Sequence, residues 1–144
     1  MTVPPGVTIA GLLQGRAETA GLGLELLGGA AGLQRVITSP HIQKTGLALA
    51  GFDAYLRTGR VLVFGESEVR YLESLDHVAR RDSVARAFRH DIPCVLITDG
   101  WVPPSELVAE AERAQMPLMR TSVTRPQAIA KLWSVVEDTL GIRE

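Results

Sequence analysis

Apolar positions change their spacing along this chain, and each change marks an element. Pro93 to Thr98 is a continuous apolar, partly β-branched run that ends in Asp99-Gly100. Such a run suits a strand buried on both faces and closed by a turn. Arg60-Val61-Leu62-Val63-Phe64, stopped by Gly65, is a second strand of the same kind, and Pro117-Leu118-Met119 is a third. Between the last two, Leu107, Val108, Ala111 and Ala114 line one face of a helix that Pro103-Pro104 introduces in its first turn. A strand, helix and strand in so short a span is best closed as a parallel crossover. The earlier crossover holds two helices. Ser67 is placed as the N-cap of one, with Val69, Leu72 and Leu75 on its apolar side, and Asp76 caps the other through Arg89. The final helix has Thr124 and Gln127 at capping-box spacing, an apolar stripe of Ile129, Leu132, Trp133, Val136 and Leu140, and Gly141 at its stop.

The N-terminal third is less periodic. Thr8 can cap a short helix carrying Ile9, Leu12 and Leu13. Short apolar segments at 24–28 and 35–38, separated by a glycine-rich turn, read as an antiparallel β-hairpin lying beside the parallel core. Residues 41–55 fit no period well, and a short helix is expected near 47–50. The fold class is therefore α/β: a single three-layer domain over 1–144, with a mainly parallel sheet (strands near 61–64, 93–98 and 117–120), the N-terminal hairpin and flanking helices.

Composition narrows what such a domain can do. With 144 residues, 46% of them hydrophobic and 22% charged, the chain can bury an ordinary core without metal or disulfide. Fifteen Lys and Arg against sixteen Asp and Glu leave a formal charge of −1, which supplies no overall field for nucleic acid or anionic membrane. Cys94, the one cysteine, stands inside the best strand, as a buried thiol in a reducing compartment would. The start of the chain has neither a basic leader nor a long apolar segment, so a cytoplasmic location is expected.

Catalytic motifs fail when tested. Gly46 and Gly51 have P-loop spacing, but Phe52-Asp53 follows where a lysine and a hydroxyl residue must reach phosphate and magnesium. Gly21 and Gly23 begin a dinucleotide fingerprint that Leu26 ends. His41, His77 and His90 lack partners at metal-ligand spacing, so no metal is expected. Arg80, Arg81, Arg86 and Arg89 are scattered around their helix; Asp76 and Asp82 stand four residues before Arg80 and Arg86, which reads as a solvated face of ion pairs. One generic site remains. In open parallel sheets ligands bind beyond the carboxyl ends of the strands, where helix N-termini offer N–H groups to anions. Those ends bring forward Ser67, Thr98, Thr121, Ser122, Thr124 and Arg125 as candidates for a phosphate or carboxylate. Their simpler role is to cap helices and turns.

Several ordered segments together resemble the N-terminal domain of the bacterial HPr kinase/phosphorylase family: Leu24-Glu25-Leu26-Leu27-Gly28, Gly46-Leu47-Ala48-Leu49-Ala50-Gly51-Phe52, RVLVFGESEVRYLESL, IPCVLITDG with PPSEL, and MPLMRT. The likeness runs from about Val7 to Leu140. It implies a fold similar to the first domain of Mur ligases. It also implies a cytoplasmic parent protein that phosphorylates a serine of the phosphocarrier HPr, and removes the phosphate, in phosphotransferase-system carbon regulation. ATP and magnesium would belong to a C-terminal P-loop kinase domain expected beyond these residues, so this chain carries no cofactor. Its implied partners are that kinase domain, HPr for the parent and further copies in a homo-oligomer, with a task in regulation and assembly. The alternative is a stand-alone sensor of a small phosphorylated ligand or nucleotide.

Overall fold

A computed structural model describes residues 6–16, 21–39, 41 and 59–140. Its main sheet has four strands in the order β2-β6-β5-β4: β2 (Glu25–Gly28), β4 (Leu62–Phe64), β5 (Val95–Ile97) and β6 (Leu118–Arg120). The last three are parallel and β2 runs antiparallel to β6. Helices α2 (Glu66–Ser74) and α3 (His77–Ala87) connect β4 to β5, α4 (Ser105–Ala114) connects β5 to β6, and α5 (Arg125–Leu140) closes the described chain. At the front, β1 (Val7–Thr8) leads into a single α-turn, α1 (Ile9–Gly11), which widens into a π-helix over Leu12–Arg16. Thr8 caps that turn as expected, its hydroxyl accepting from the Gly11 N–H at 3.0 Å.

The alternation along the strands sorts the core into two layers, since successive side chains point to opposite faces. Leu62, Phe64, Val95, Ile97 and Leu118 pack under α2, α3 and α4 with Leu72, Val84, Leu107 and Ala111. Val61, Val63, Cys94, Leu96 and Met119 face the other way, towards Ala128, Leu132 and Val136 of α5, Ile9 of α1 and Leu12 of the π-helix. Both faces are covered, which is why these strands carry continuous apolar runs. The Cys94 thiol lies in the second layer, and burial pushes its pKa far up, so it is a packing residue without thiolate character.

The two N-terminal strands form near the expected positions, and an antiparallel pair does stand apart from the main sheet, but they do not pair with each other. β2 joins the main sheet through β6, with Glu25 directly opposite Arg120 and the two joined by an ion pair of 2.7 Å. β3 (Val36–Ile37) pairs instead with β1. The connecting turn explains the exchange. Gly29 adopts φ +76 and the chain then makes a 3-10 turn over Ala30–Gly32, pressed against the backbone at the end of α4. Arg35 then donates to the carbonyls of Gln115, Ile92 and Ala114 at 3.0, 2.9 and 3.2 Å. These bonds hold the chain away from β2 and carry β3 to the other layer.

Two expected helix starts also shift. Gly65, not Ser67, is the N-cap of α2, and Pro104, expected in the first turn of α4, is its N-cap, the helix beginning at Ser105. The helix expected near 47–50 lies outside the described residues.

Candidate functional site

The carboxyl ends of β4, β5 and β6 do come together, and most of their polar groups are already engaged by the protein. The Thr98 hydroxyl donates to Asp99 Oδ2 at 2.8 Å. Asp99 and Gly100 both have positive φ, 59° and 68°, and the Trp101 N–H returns to the Thr98 carbonyl at 3.3 Å. An Asp-Gly pair is what a tight turn with two left-handed positions favours. That turn is bonded to the next strand end, with the Asp99 N–H on the Val123 carbonyl and the Gly100 N–H on the Thr121 carbonyl. The Thr121 hydroxyl donates to the Leu22 carbonyl and accepts from the Val123 N–H. Thr124 caps α5 with Gln127, each side chain accepting the other residue's N–H at 3.4 Å. Ser67 and Ser122 are exposed at the rim.

Arg125 reaches across to the start of α2. There Glu68, which is buried, accepts the Gly65 N–H at 2.7 Å and lies 3.3 Å from Arg125 Nη1. A carboxylate of the chain itself therefore occupies the position an anion would take at this helix end, where exposed N–H groups favour negative charge. Its spacing, three residues after the N-cap glycine, is that of a capping carboxylate, a signal that placing the cap at Ser67 passed over.

A second cluster joins the beginnings of α3 and α4. Glu106 meets His77 Nδ1 at 2.6 Å and Arg80 Nη1 at 3.1 Å. Arg80 also donates to the carbonyls of Leu72, Glu73 and Leu75 at the end of α2, at 2.7, 3.2 and 2.8 Å. It is thus a bolt between three helices, not the solvated partner of Asp76, which instead caps α3 by accepting the Ala79 N–H at 2.8 Å. Asp82 lies 3.9 Å from Arg81. No spacing rule brings Glu106 to Arg80; only the packing of α3 on α4 does. The hydrogen bond from His77, then that from the Glu106 backbone N–H, then that from Arg80, hold the Glu106 pKa down at about 2.

Because that folded pKa is depressed, the carboxylate stabilises the fold above the ordinary glutamate range and loses its contribution as pH falls from about 4.5 to about 2. Urea midpoints measured from pH 5 to pH 2 are expected to fall more steeply for the native chain than for Glu106→Gln. Parallel curves would remove the assignment.

Among the described residues no cluster of His, Cys, Asp and Glu could hold a metal ion, and no described helix is long and apolar enough to cross a membrane. Beside the β5 turn, the Arg70 guanidinium lies 5.2 Å from the centre of the Trp101 ring, within cation–π range.

Comparison with known proteins adds what the geometry alone does not. The family model described as HPr Serine kinase N terminus matches residues 7–136. An HPr kinase/phosphorylase of Geobacter sulfurreducens is 38% identical over 120 residues, which are 83% of this chain and 38% of that protein. One from Alkaliphilus metalliredigens is 33% identical over 120 residues, 83% of this chain and 39% of that protein. The chain thus corresponds to well under half the length of these relatives. A solved structure of the CBS and DRTGG domains of the regulatory region of Clostridium perfringens pyrophosphatase, complexed with its activator diadenosine tetraphosphate, superposes with a TM-score of 0.56. It is 12% identical and covers 84% of this chain and 45% of that one; the likeness is one of fold.

Proposed function

The chain belongs to the family of HPr serine kinase N-terminal domains, and from that premise we propose that it is a non-catalytic regulatory and assembly domain of an HPr kinase/phosphorylase. The observation that carries the reading is the state of the strand ends. Thr98, Thr121, Thr124 and Glu68 are tied into turns and caps. The one hydroxyl–carboxylate contact among the described residues there, Thr98 on Asp99, has its hydroxyl buried, so it is not presented to a substrate as nucleophilic catalysis would require. The phosphotransfer chemistry of the parent, with its ATP, magnesium and HPr, then belongs to a kinase domain of the same polypeptide, working in the cytoplasm in phosphotransferase-system carbon regulation. This domain acts on that kinase through contacts, in a homo-oligomeric parent.

A second reading is a sensor for a small phosphorylated ligand or nucleotide at Ser67, Ser122 and Arg125, with Thr98, Thr121 and Thr124 behind them. What favours it is the half-buried Arg125 guanidinium beside the start of α2; a phosphate there would take the place of Glu68. Against it stands the closed network just described.

One experiment separates the readings. The chain is mixed with HPr, ATP and magnesium while phosphoserine and tryptophan emission are followed, Trp101 lying on the β5 turn. No phosphoserine and unchanged emission are expected. Phosphorylated HPr would overturn the non-catalytic reading, and an emission change that Arg125→Ala abolishes would favour the sensor.

A further inference from the structure

β2 lies at one edge of the main sheet, with no strand beyond it among the described residues. The bonding of its neighbour fixes which of its backbone groups point outward. The Val95 N–H bonds to the Pro117 carbonyl and the Thr121 N–H to the Ile97 carbonyl. Odd-numbered residues of β6 therefore turn their backbone to β5, and the even-numbered Leu118 and Arg120 turn theirs to β2. Glu25 stands opposite Arg120, so its N–H and C=O point inward. Along an antiparallel strand the residues on either side point the other way, which directs the N–H and C=O of Leu24 and Leu26 out of the sheet.

The side chains around those groups do not guard them. Free edges are commonly blunted by lysine or proline, but here Leu24 and Leu26 are half-buried and pack on the second layer of the core. Between them the Glu25 side chain is 56% exposed. Arg120 Nε and Nη2 both bond Glu25 Oε1, at 3.1 and 2.7 Å, which leaves the second oxygen for another cation. A strand laid along β2 would pair with the outward backbone groups and cover the open flanks of the two leucines with apolar side chains. Its residue opposite Glu25 would lie beside the carboxylate, where a lysine or arginine is the complement. We propose that the free edge of β2 docks an extended segment of a partner protein in which one basic residue stands between two apolar ones. The backbone bonds give such a contact its affinity, and the alternating side chains give it selectivity.

The edge is short. The register shifts between Leu26 and Gly28, and such a bulge ends regular pairing, while Gly23 turns away with φ +57 at the other end. About three partner residues are held, roughly 10 Å of strand. A free peptide therefore binds weakly, and a partner brought close by other contacts binds more tightly. The ion pair is open to solvent, so salt should weaken the contact. This edge exists whatever the domain does to a kinase, and the surface and the non-catalytic reading fail separately.

The probe is a blocked peptide, Thr-Thr-Val-Lys-Val-Thr-Thr, titrated to about 5 mM into the isotope-labelled chain while its amide resonances are followed. Shifts centred on Leu24, Glu25 and Leu26 are expected, with slowed hydrogen exchange at the Leu24 and Leu26 amides and a dissociation constant of about 1 mM. A peptide with glutamate at its centre should bind about fivefold more weakly or worse, and Glu25→Lys should reverse that preference. Leu26→Pro removes an N–H that has no partner inside the sheet, so it should be no less stable than Leu26→Ala and yet lose the peptide. Four results would overturn the proposal: no shift at these residues up to the highest concentration, equal binding of the two peptides, a preference unchanged by Glu25→Lys, or Leu26→Pro unfolding where Leu26→Ala does not. Shifts at β2 that follow chain concentration without peptide would also overturn it, since the occupant would then be a second copy.

Discussion

Gly29→Ala is expected to destabilise the domain by at least about 3 kcal/mol, the largest effect of any single methyl group added to the described chain. Two causes act at that position. Its φ of +76 lies in the left-handed region, which costs an alanine about 1–2 kcal/mol. In addition, a Cβ would stand 1.9 Å from the Met116 carbonyl oxygen and 2.8 Å from the Pro117 nitrogen, both rigid backbone. Neither neighbour can swing aside, because Met116 leads directly into β6. Gly23→Ala provides the control. Gly23 also has positive φ, +57, but nothing lies within 4 Å of an added Cβ, so it should lose only the conformational part, about 1–2 kcal/mol. Urea unfolding of the two variants, compared at the midpoint with equal slopes, separates the causes. Equal losses would mean that the turn from β2 to β3 is not packed on the end of α4.

The second large effect is expected at Arg80. Arg80→Met keeps the aliphatic stem but leaves the Glu73 and Leu75 carbonyls without their donor, and Glu106 without its guanidinium partner. Charged hydrogen bonds contribute roughly 1.5–3 kcal/mol each and are far from additive. Because the side chain is about one-fifth exposed, water replaces part of what is lost, and a net cost of about 2 kcal/mol is expected. Arg80→Lys should recover little, since one ammonium cannot satisfy four acceptors spread over the end of α2 and the start of α4. Arg81→Met, one residue away on the outer face, should stay within about 0.5 kcal/mol of the native chain. If thermal or urea unfolding found Arg80 and Arg81 equally dispensable, the bolt joining α2, α3 and α4 would not be holding them.

Arg80 and Arg81 also show where reading the sequence stops. Both belong to one basic cluster, in which helical spacing offered Arg80 a partner in Asp76 and Arg86 a partner in Asp82. Spacing along one helix describes only neighbours on that helix. The partner Arg80 finds is Glu106, 26 residues on, together with the open carbonyls at the end of another helix. The pairing partners of the two N-terminal strands were missed for a related reason. Two short apolar segments around a glycine-rich turn are locally a hairpin, yet the turn packs on α4 and Arg35 holds its far side, so each strand takes a partner from elsewhere. The residues named at the strand ends do stand there, but their bonds depended on the register of β5 and β6 and on Glu68 facing Arg125.

What the sequence by itself determined was the set of elements and their class. Uninterrupted apolar runs marked β4, β5 and β6 as doubly covered strands, the stripes of α4 and α5 named their buried faces, and the ordered segments pointed to the family that the comparison then established. Such signals are local, because a strand or helix writes its period into consecutive residues. The tertiary structure alone decided which strands pair, which polar groups close the strand ends, and which charges meet across helices. Those choices are set by approaches between residues tens of positions apart, and by backbone groups that carry no side-chain signature in the sequence.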